Sequence, residues 1–597
     1  MANYIQQSGT ITPSNIPVWV APGVLSDGGS AGQYAPSNSL LTIAQGSISL
    51  YVIPRVAFFF IGAPVAIAYS NDTTKYMSGT ITSYDPTTGF MTVSVVATKG
   101  TGTYNQWFVS LSNAYILDLC EALIQAAASG AGTAVFANVA TVRALTGVAF
   151  PVISIEGWYT AGDNGGGFFV YVSSDTTSSD NGGTILVDAS GNRYYRIMTG
   201  DELTPIMFGA KGNGSNDDTT FLQSAITNVP FTLSGLGKTY KITAPLTGRG
   251  NFEFKDATIY ASGLASSISV ISFDGSALTP VALTSNTSVG TTTVNVASGS
   301  TFTQYGWAML ASTATWSAAD SVTYGEYVQI QSISGNTLTL AQGTLLTYKT
   351  SDTATIAPIN SMSNIKLDRV MCYPNAVGTN QTFAKFLYCL NVDVSNCFTQ
   401  DFQYQHYDVI SCVNTRISDC HMSRSGSYVG LNYGVTFANA CYNGWVTRCV
   451  GNSLRHLSTV GGSSGVSRFI SIRDNRAYDM NDAGYDSHAA CYEIEFVGNL
   501  AEFTNPTDTS CDGIICQGAK PLIQGNIIKG CRRHGVFWQP LIDTSFGGIV
   551  SAEISNFQIY LVLILCLLIP TLTRLLEIHF VCLYCLKFSV NLLFFPF

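Results

Sequence analysis

Six short segments in the second half of this chain close on the same kind of residue at nearly the same interval. That interval limits the folds available to it. Each segment alternates apolar and variable positions and ends on Cys or Asn: Val392–Cys397, Thr415–Cys420, Trp445–Cys449, Ile470–Asn475, Ile494–Asn499 and Leu522–Asn526. The closing residues, 397, 420, 449, 475, 499 and 526, are spaced by 23, 29, 26, 24 and 27 residues. Periods of this size mean stacked units that bury a face only against each other. The two-residue alternation makes each unit a strand with one face inward. One short strand per repeat, closed by Asn or Cys, predicts a β-helix. Asn tolerates left-handed backbone at a bend and can stack in a hydrogen-bonded ladder. The Leu/Asn frame of a leucine-rich repeat is absent. Unequal steps mean loops of unequal length, and loops on one face of such a stack carry function.

Composition agrees with β structure and narrows the partners. A chain of 597 residues predicts several modules. Only 11% of residues are charged and 56 are glycine, a mix that favours strands and turns over helices. The net charge of −9 comes with no basic stripe, so nucleic acid is not an expected partner. Met1–Gly9 has no basic segment followed by an apolar core, so no signal peptide is expected and synthesis in a cytoplasm is. Of 15 cysteines, only Cys120 precedes residue 372. An odd count without paired CxxC motifs predicts buried, reduced thiols rather than a disulfide or zinc framework. No metal or cofactor is expected, since neither HExxH nor paired Cys/His spacing occurs.

In front of the repeat the chain reads as modules. Over residues 1–115, Tyr76–Tyr84, the turn Asp85-Pro86-Thr87-Thr88-Gly89 and Met91–Val95 predict a hairpin. It resembles the small β modules at the front of many phage fibres and spikes, which implies attachment to a virion tail or baseplate. Residues 116–132 carry Leu117, Leu119, Leu123, Ile124 and Ala127 at near-helical spacing before a Gly-Ala-Gly break, so a helical connector is expected. Residues 133–200, with Gly157-Trp158-Tyr159 and Arg193-Tyr194-Tyr195-Arg196, resemble the short β adaptor that precedes β-helices in tail spikes. Its glycine run at 165–167 is no phosphate loop, because no helix comes after it.

Residues 201–280 begin the β-helix. Phe208-Gly209-Ala210-Lys211-Gly212-Asn213-Gly214 is followed by Asp217-Asp218-Thr219, a short helix with Phe221, Leu222, Ala225 and Ile226, and the strand Gly237–Ile242. This order resembles the start of pectate-lyase-like β-helices, where the helix covers the open end of the coils. A β-helix end exposes strand edges and apolar core, so a cover is required. Residues 281–355 read as an inserted small β domain, and the coils resume over 356–556. The expected fold class is all-β: a right-handed parallel β-helix of the pectate-lyase type, preceded by small β modules and a short helix, with an inserted small β domain.

Polar loop residues fall at matching offsets from the closing residues. His456 and Asp482 lie seven after Cys449 and Asn475. Arg533 and His534 lie seven and eight after Asn526, His488 and Asp512 thirteen after Asn475 and Asn499, and Asp486 between the two columns. Matched offsets become neighbours about 5 Å apart in a coil stack, so a face lined by His, Asp and Arg is predicted. The blocks Arg455–Gly462, Asp482–His488 and Asp512–Gly518 resemble blocks of tail-spike and prophage β-helix proteins. That resemblance implies a homotrimeric spike on the virion tail, made in the bacterial host cytoplasm, which recognises bacterial surface polysaccharide and cuts it by hydrolysis or by lyase chemistry. For hydrolysis, Asp482, Asp486 and Asp512 are the candidate carboxyls, with His456 and His488 tuning the acid or placing water. For a lyase, cations must quench a uronate carboxylate. Arg455, Tyr485, Arg533, His534 and Trp538 are the candidate substrate-binding residues in either case. Aromatics such as Trp445 suit sugar rings, though residues of this kind also fill cores. A fibre that binds glycan without cutting, or a structural spike, uses the same residue types.

The rung pattern returns once at Ala552–Asn556 and stops. Residues 557–597 contain neither Gly nor Asp, and Ile559–Leu568 is continuously apolar. That run is shorter than the roughly 20 residues a membrane helix needs, and Pro570, Arg574, Glu577 and Lys587 interrupt the remainder. An out-of-frame or aberrant end in place of further coils is expected here, rather than a membrane hairpin.

Overall fold

The structure is a computed structural model. It describes residues 134–540 apart from 148, 199–201, 318–319, 375–380, 425–430 and 505–510. Ahead of these it describes 34–111 apart from 53–58, 60–63 and 86–88, with strands at 6–8, 15–21 and 24–30. Beyond them it describes strands at 549–554 and 588–592. The predicted helix over 116–132 and most of the apolar tail lie outside these residues. The chain forms two compact units: residues 1–136, 147–154 and 168–173, and residues 137–146, 155–167 and 174–597.

In the first unit the predicted hairpin is present. Tyr76–Asp85 pairs antiparallel with Phe90–Lys99, with Ile81 opposite Val93. It is the centre of a six-stranded sheet. Alternation sends Met77, Ile81, Met91 and Val93 to one side, where they bury against Trp107.

The second unit is a parallel β-helix. A typical coil has three short strands, as in Gln405–Ile410, Val413–Ser418 and His421–Ser423. The first strands of successive coils stack into a nine-stranded sheet, and the second and third stack into a twenty-stranded one. Strands of successive coils pair in parallel, as in Val413 beside Tyr442 and Tyr442 beside Arg468. The six closing residues stack on one another in the core. Cys397, Cys420 and Cys449 are buried, followed by Asn475, Asn499 and Asn526. The Asn499 carboxamide oxygen accepts from the backbone N–H of Asn475 at 3.0 Å and from its Nδ2 at 3.0 Å, and Asn526 repeats this towards Asn499. Each Asn then donates to the carbonyl of the coil before, Asn499 to Ile472 at 2.8 Å. One detail differs from the sequence-based expectation. The left-handed residue is the one before the closing residue: Asp474, Gly498 and Gly525 have positive φ. The closing Asn is selected for its buried hydrogen bonds, not for its backbone. Among the described residues the cysteines are free thiols, buried except for the half-buried Cys531.

The covering helix runs over Thr219–Asn228 and buries Leu222, Ala225 and Ile226 against the first coils. Asp218 stands at its N-cap without a side-chain cap bond, and the preceding Asp217 accepts from the Thr219 N–H through Oδ1 at 3.0 Å. The neighbouring Asp218 instead takes the N–H groups of Lys211 and Gly212 at 2.7 and 3.0 Å, which ties the glycine-rich turn to the helix start. The inserted domain is a seven-stranded sheet between Ser276 and Asn360. Its core is continuous with Val466, Tyr492 and Ala519 of the coils. The buried Glu326 faces Arg468 at 3.3 Å across this junction.

Candidate functional site

The nine-stranded sheet places the site. Its strands His456–Gly461, Ala483–Ser487, Asp512–Gly518 and Val536–Pro540 stack in register. Alternation sends Tyr485, Ile514 and Val536 to the core and Thr459, Asp486, Ile515 and Phe537 to the outer face. The outer row continues through Lys385, Asp408 and Thr436 to Thr459 and Asp486, one residue per coil.

Five of the predicted residues come together on this face. His456 Nε2 lies 3.8 Å from Asp482 Oδ2 and 3.9 Å from Asp486 Oδ2. The two Oδ2 atoms therefore stand no more than about 8 Å apart. His456 Nδ1 is 3.1 Å from the Ala483 carbonyl, which can only accept, so Nδ1 carries the proton. Nε2, between the two carboxylates, is too far from either for a direct hydrogen bond, which leaves room for a hydroxyl between them. Asp486 Oδ2 also accepts from Thr459 Oγ1 at 2.7 Å and from His488 Nε2 at 3.1 Å. Arg455 reaches Asp482 at 3.3 Å and lies over the Tyr433 ring at 5.4 Å.

Burial and charge divide these groups by role. Burial opposes charge on Asp486, but His456, His488 and Thr459 outweigh it and hold the carboxyl below its ordinary value. The hydrogen bond to Asp486 raises the His488 imidazole above its ordinary value. Burial lowers His456, against the pull of Asp486 and Asp482. The side chains of Asp486 and His456 are 4% and 2% exposed, whereas Asp482 is 28% and His488 47% exposed. The more exposed groups on this face are Asp482, His488 and Arg455, with Asp486 behind them.

Three expectations change. Asp512 is fully buried and saturated. Its Oδ2 accepts from Arg533 Nε at 2.8 Å and from Nη2, and its Oδ1 from the His534 backbone N–H and Nδ1, both at 2.9 Å. It has no oxygen left for a substrate, and it orients Arg533 and His534. Tyr485, read as substrate-binding, points into the core and donates its hydroxyl to the Leu500 carbonyl at 2.8 Å. Trp538, beside Cys516 in register, packs against the core as well. The outer aromatic on that strand is Phe537, tilted over His534 with ring centres 5.1 Å apart.

The matched offsets also fail in one place. His488 and Asp512 are not neighbours, because Asp512 stands beside Ala483. The connection from Asn499 to Asp512 differs in length from the one before it, so counting across it loses register.

Sequence reasoning singled out Tyr433 only among aromatics that suit sugar rings, and passed over Thr459, Phe537 and two residues of the insertion. Asp320 Oδ2 accepts from the Ala489 N–H at 3.0 Å, and Trp316 Nε1 donates to the Ala489 carbonyl at 2.6 Å. The inserted domain thereby clamps the residue after His488. Thr459 was legible from alternation, since it stands one coil before Asp486; the Asp320 contact was not. Among the described residues no group of His, Cys, Asp or Glu is placed to hold a metal ion.

Residues 135–199 match the family described as the phage tail protein small four-stranded β-sheet domain. The matched segment is followed in the chain by a parallel β-helix with a polar outer face, an arrangement similar to that of tail spikes. The chain is 25% identical over 349 residues to the capsule K1-specific depolymerase of Klebsiella phage K64-1, covering 56% of this chain and 38% of that protein. The chain thus spans well under half the length of that relative. Similar solved structures include the Gp54 tailspike of Acinetobacter baumannii bacteriophage AP22 in complex with a capsular saccharide. It is 17% identical with a TM-score of 0.41, over 53% of this chain and 56% of that one. Another is the tailspike gp49 of Pseudomonas phage LKA1, 15% identical with a TM-score of 0.42, over 59% and 79%.

Proposed function

We propose that this chain recognises bacterial surface polysaccharide and cuts its glycosidic bonds on the outer face of the nine-stranded sheet. The observation that carries this reading is the placement of Asp482 and Asp486 on either side of His456, with His488 exposed beside Asp486. His488, charged by its bond to Asp486, donates a proton to the leaving oxygen. Asp482 supplies the second carboxylate, which assists water or attacks the anomeric carbon. Asp486 is a positioning residue that acts through His488, and Arg455 and Arg533 bind acidic or hydroxyl groups along the chain of sugars. The front modules attach the protein to the virion tail, and three copies form the spike. The relative that acts on a Klebsiella capsule makes capsular polysaccharide the first substrate class to test.

The test incubates the full chain with purified capsular polysaccharides, that of Klebsiella type K1 included, and reads reducing ends and the absorbance of unsaturated uronates. New reducing ends without unsaturated product, lost in Asp482→Asn and His488→Gln, are expected. Unsaturated product would replace hydrolysis by elimination. Binding with neither product would reduce the site to a lectin.

A further inference from the structure

A second ladder runs along the twenty-stranded sheet. Asn364, Asn391, Asn414 and Asn443 occupy the same bulge position in successive coils, with Asn251 before them. Each donates its Nδ2 to the Asn before it, at 2.8, 3.1, 3.2 and 2.8 Å. All five have positive φ, from 50 to 62°. Asn bears such backbone at low cost, whereas a bulky side chain does not. In the next three coils the position holds Phe469, Glu493 and Lys520, with φ of 56, 55 and 49°. The ladder stops and three side chains accept an unfavourable backbone. Strain of this kind collects where a site is built.

These three residues, with Trp445, Arg473 and Glu495, line a cavity of about 690 Å³, within the size range of small-ligand sites. Phe469 is 37% exposed, and its ring is held by the edge contact of Tyr442 at 5.4 Å and by the Arg468 guanidinium at 4.9 Å. Trp445 lies two coils from Glu495 in the same register row. Arg473 Nε donates to Glu495 at 3.2 Å, and both side chains stay about a third or more exposed. The two cations and two carboxylates of the lining cancel. Half-open aromatic faces, a planar donor–acceptor pair and no net charge suit a sugar ring. Its C–H face packs on an aromatic while its hydroxyls both donate and accept. A phosphate or other anion would meet two carboxylates beside the two cations.

We propose that this cavity is a second saccharide-binding site, separate from the carboxylate–histidine face, which holds polysaccharide without cutting it; this rests on the reading of the chain as a glycan-binding spike. The test is binding of the full chain and its variants to an immobilised array of purified bacterial capsular polysaccharides, with sedimentation of each variant. Trp445→Ala and Phe469→Asn are expected to weaken binding at least tenfold. Phe469→Asn restores the ladder residue next to Asn443, so its melting temperature should equal or exceed that of the parent, which separates lost binding from lost fold. Unchanged binding in both cavity variants overturns the proposal. So does a change in the number of associated copies without loss of binding, which would make the cavity a contact between copies. If the parent chain binds no polysaccharide on the array, the glycan reading itself falls, an outcome distinct from the other two.

Discussion

His488 Nε2 lies 3.1 Å from Asp486 Oδ2, and the contact joins an exposed imidazole to a buried carboxylate. The carboxylate raises the imidazole pKa and the imidazole lowers that of the carboxyl. The pair is therefore charged over a wide window, from below the ordinary carboxylate range to above the ordinary histidine value.

Cleavage should follow that window. A protonated His488 is the donor, so the rate falls as pH rises through its raised pKa. Asp486→Asn removes the partner and moves the alkaline limb to lower pH, with a fall in turnover of roughly 10²-fold or more. The pH–rate profile and the imidazole titration of His488 by NMR check this. An alkaline limb that stays in place would remove the pair from the mechanism.

Asp512 is expected to matter for stability more than for direct chemistry. Asp512→Ala leaves Arg533 and the His534 N–H without their acceptor. It should lower unfolding stability by about 2–3 kcal/mol, because half-exposed Arg533 recovers part of its loss in water. The urea midpoint measures it. A loss under about 0.5 kcal/mol would mean that the anchor contributes nothing to the fold.

Tyr485→Phe tests the correction at that residue. The core hydroxyl bonded to Leu500 is lost, at about 1 kcal/mol, while the apparent substrate affinity stays where it was. A large rise in KM with unchanged melting temperature would return Tyr485 to the substrate.

Asp408, on the same outer row, has its carboxyl pushed up to about 6 by burial, against the attraction of Lys385 and the Gln405 hydrogen bond. A carboxyl whose folded pKa is raised costs stability as pH climbs from its ordinary value through the folded one, and the cost persists above it. Asp408→Asn should therefore stabilise the protein at neutral pH by about 1–2 kcal/mol and give no gain near pH 4. Melting curves at the two pH values decide it; equal shifts at both would exclude titration as the cause.

Asn499→Leu removes the middle of the buried ladder. It orphans the Asn475 N–H and the Ile472 carbonyl, so a loss of about 2–4 kcal/mol is expected. Thermal unfolding is the measurement, and a near-neutral result would show that the closing Asn is there for shape alone.

The coil stack was legible in the sequence because it is a periodic demand. Every coil must bury the same face, so Cys or Asn recurs at the closing position and the strand alternation repeats around it. The end cover was legible for a similar reason, since an exposed apolar end requires a helix with one apolar face, and Leu222, Ala225 and Ile226 provide it. The site was legible only in part. His456 and Asp482 sit at matched offsets across coils of nearly equal length and do meet. Asp512 does not join His488, because an unequal loop intervenes.

The sequence by itself determined the features that repeat or that the repeat requires: the β-helix, its closing ladder, the helix at its start and the band of coils that carries the polar face. Only the tertiary structure decided which way individual side chains point and which groups cross from elsewhere. Tyr485 and Trp538 face inward while Asp486 and Phe537 face outward, a choice set by the parity of each strand. A one-residue slip in register reverses it, and composition does not show such a slip. Asp320 and Trp316 reach Ala489 from well over a hundred residues away in sequence. The carboxylate–histidine group depends on that long-range packing as well as on its own loops.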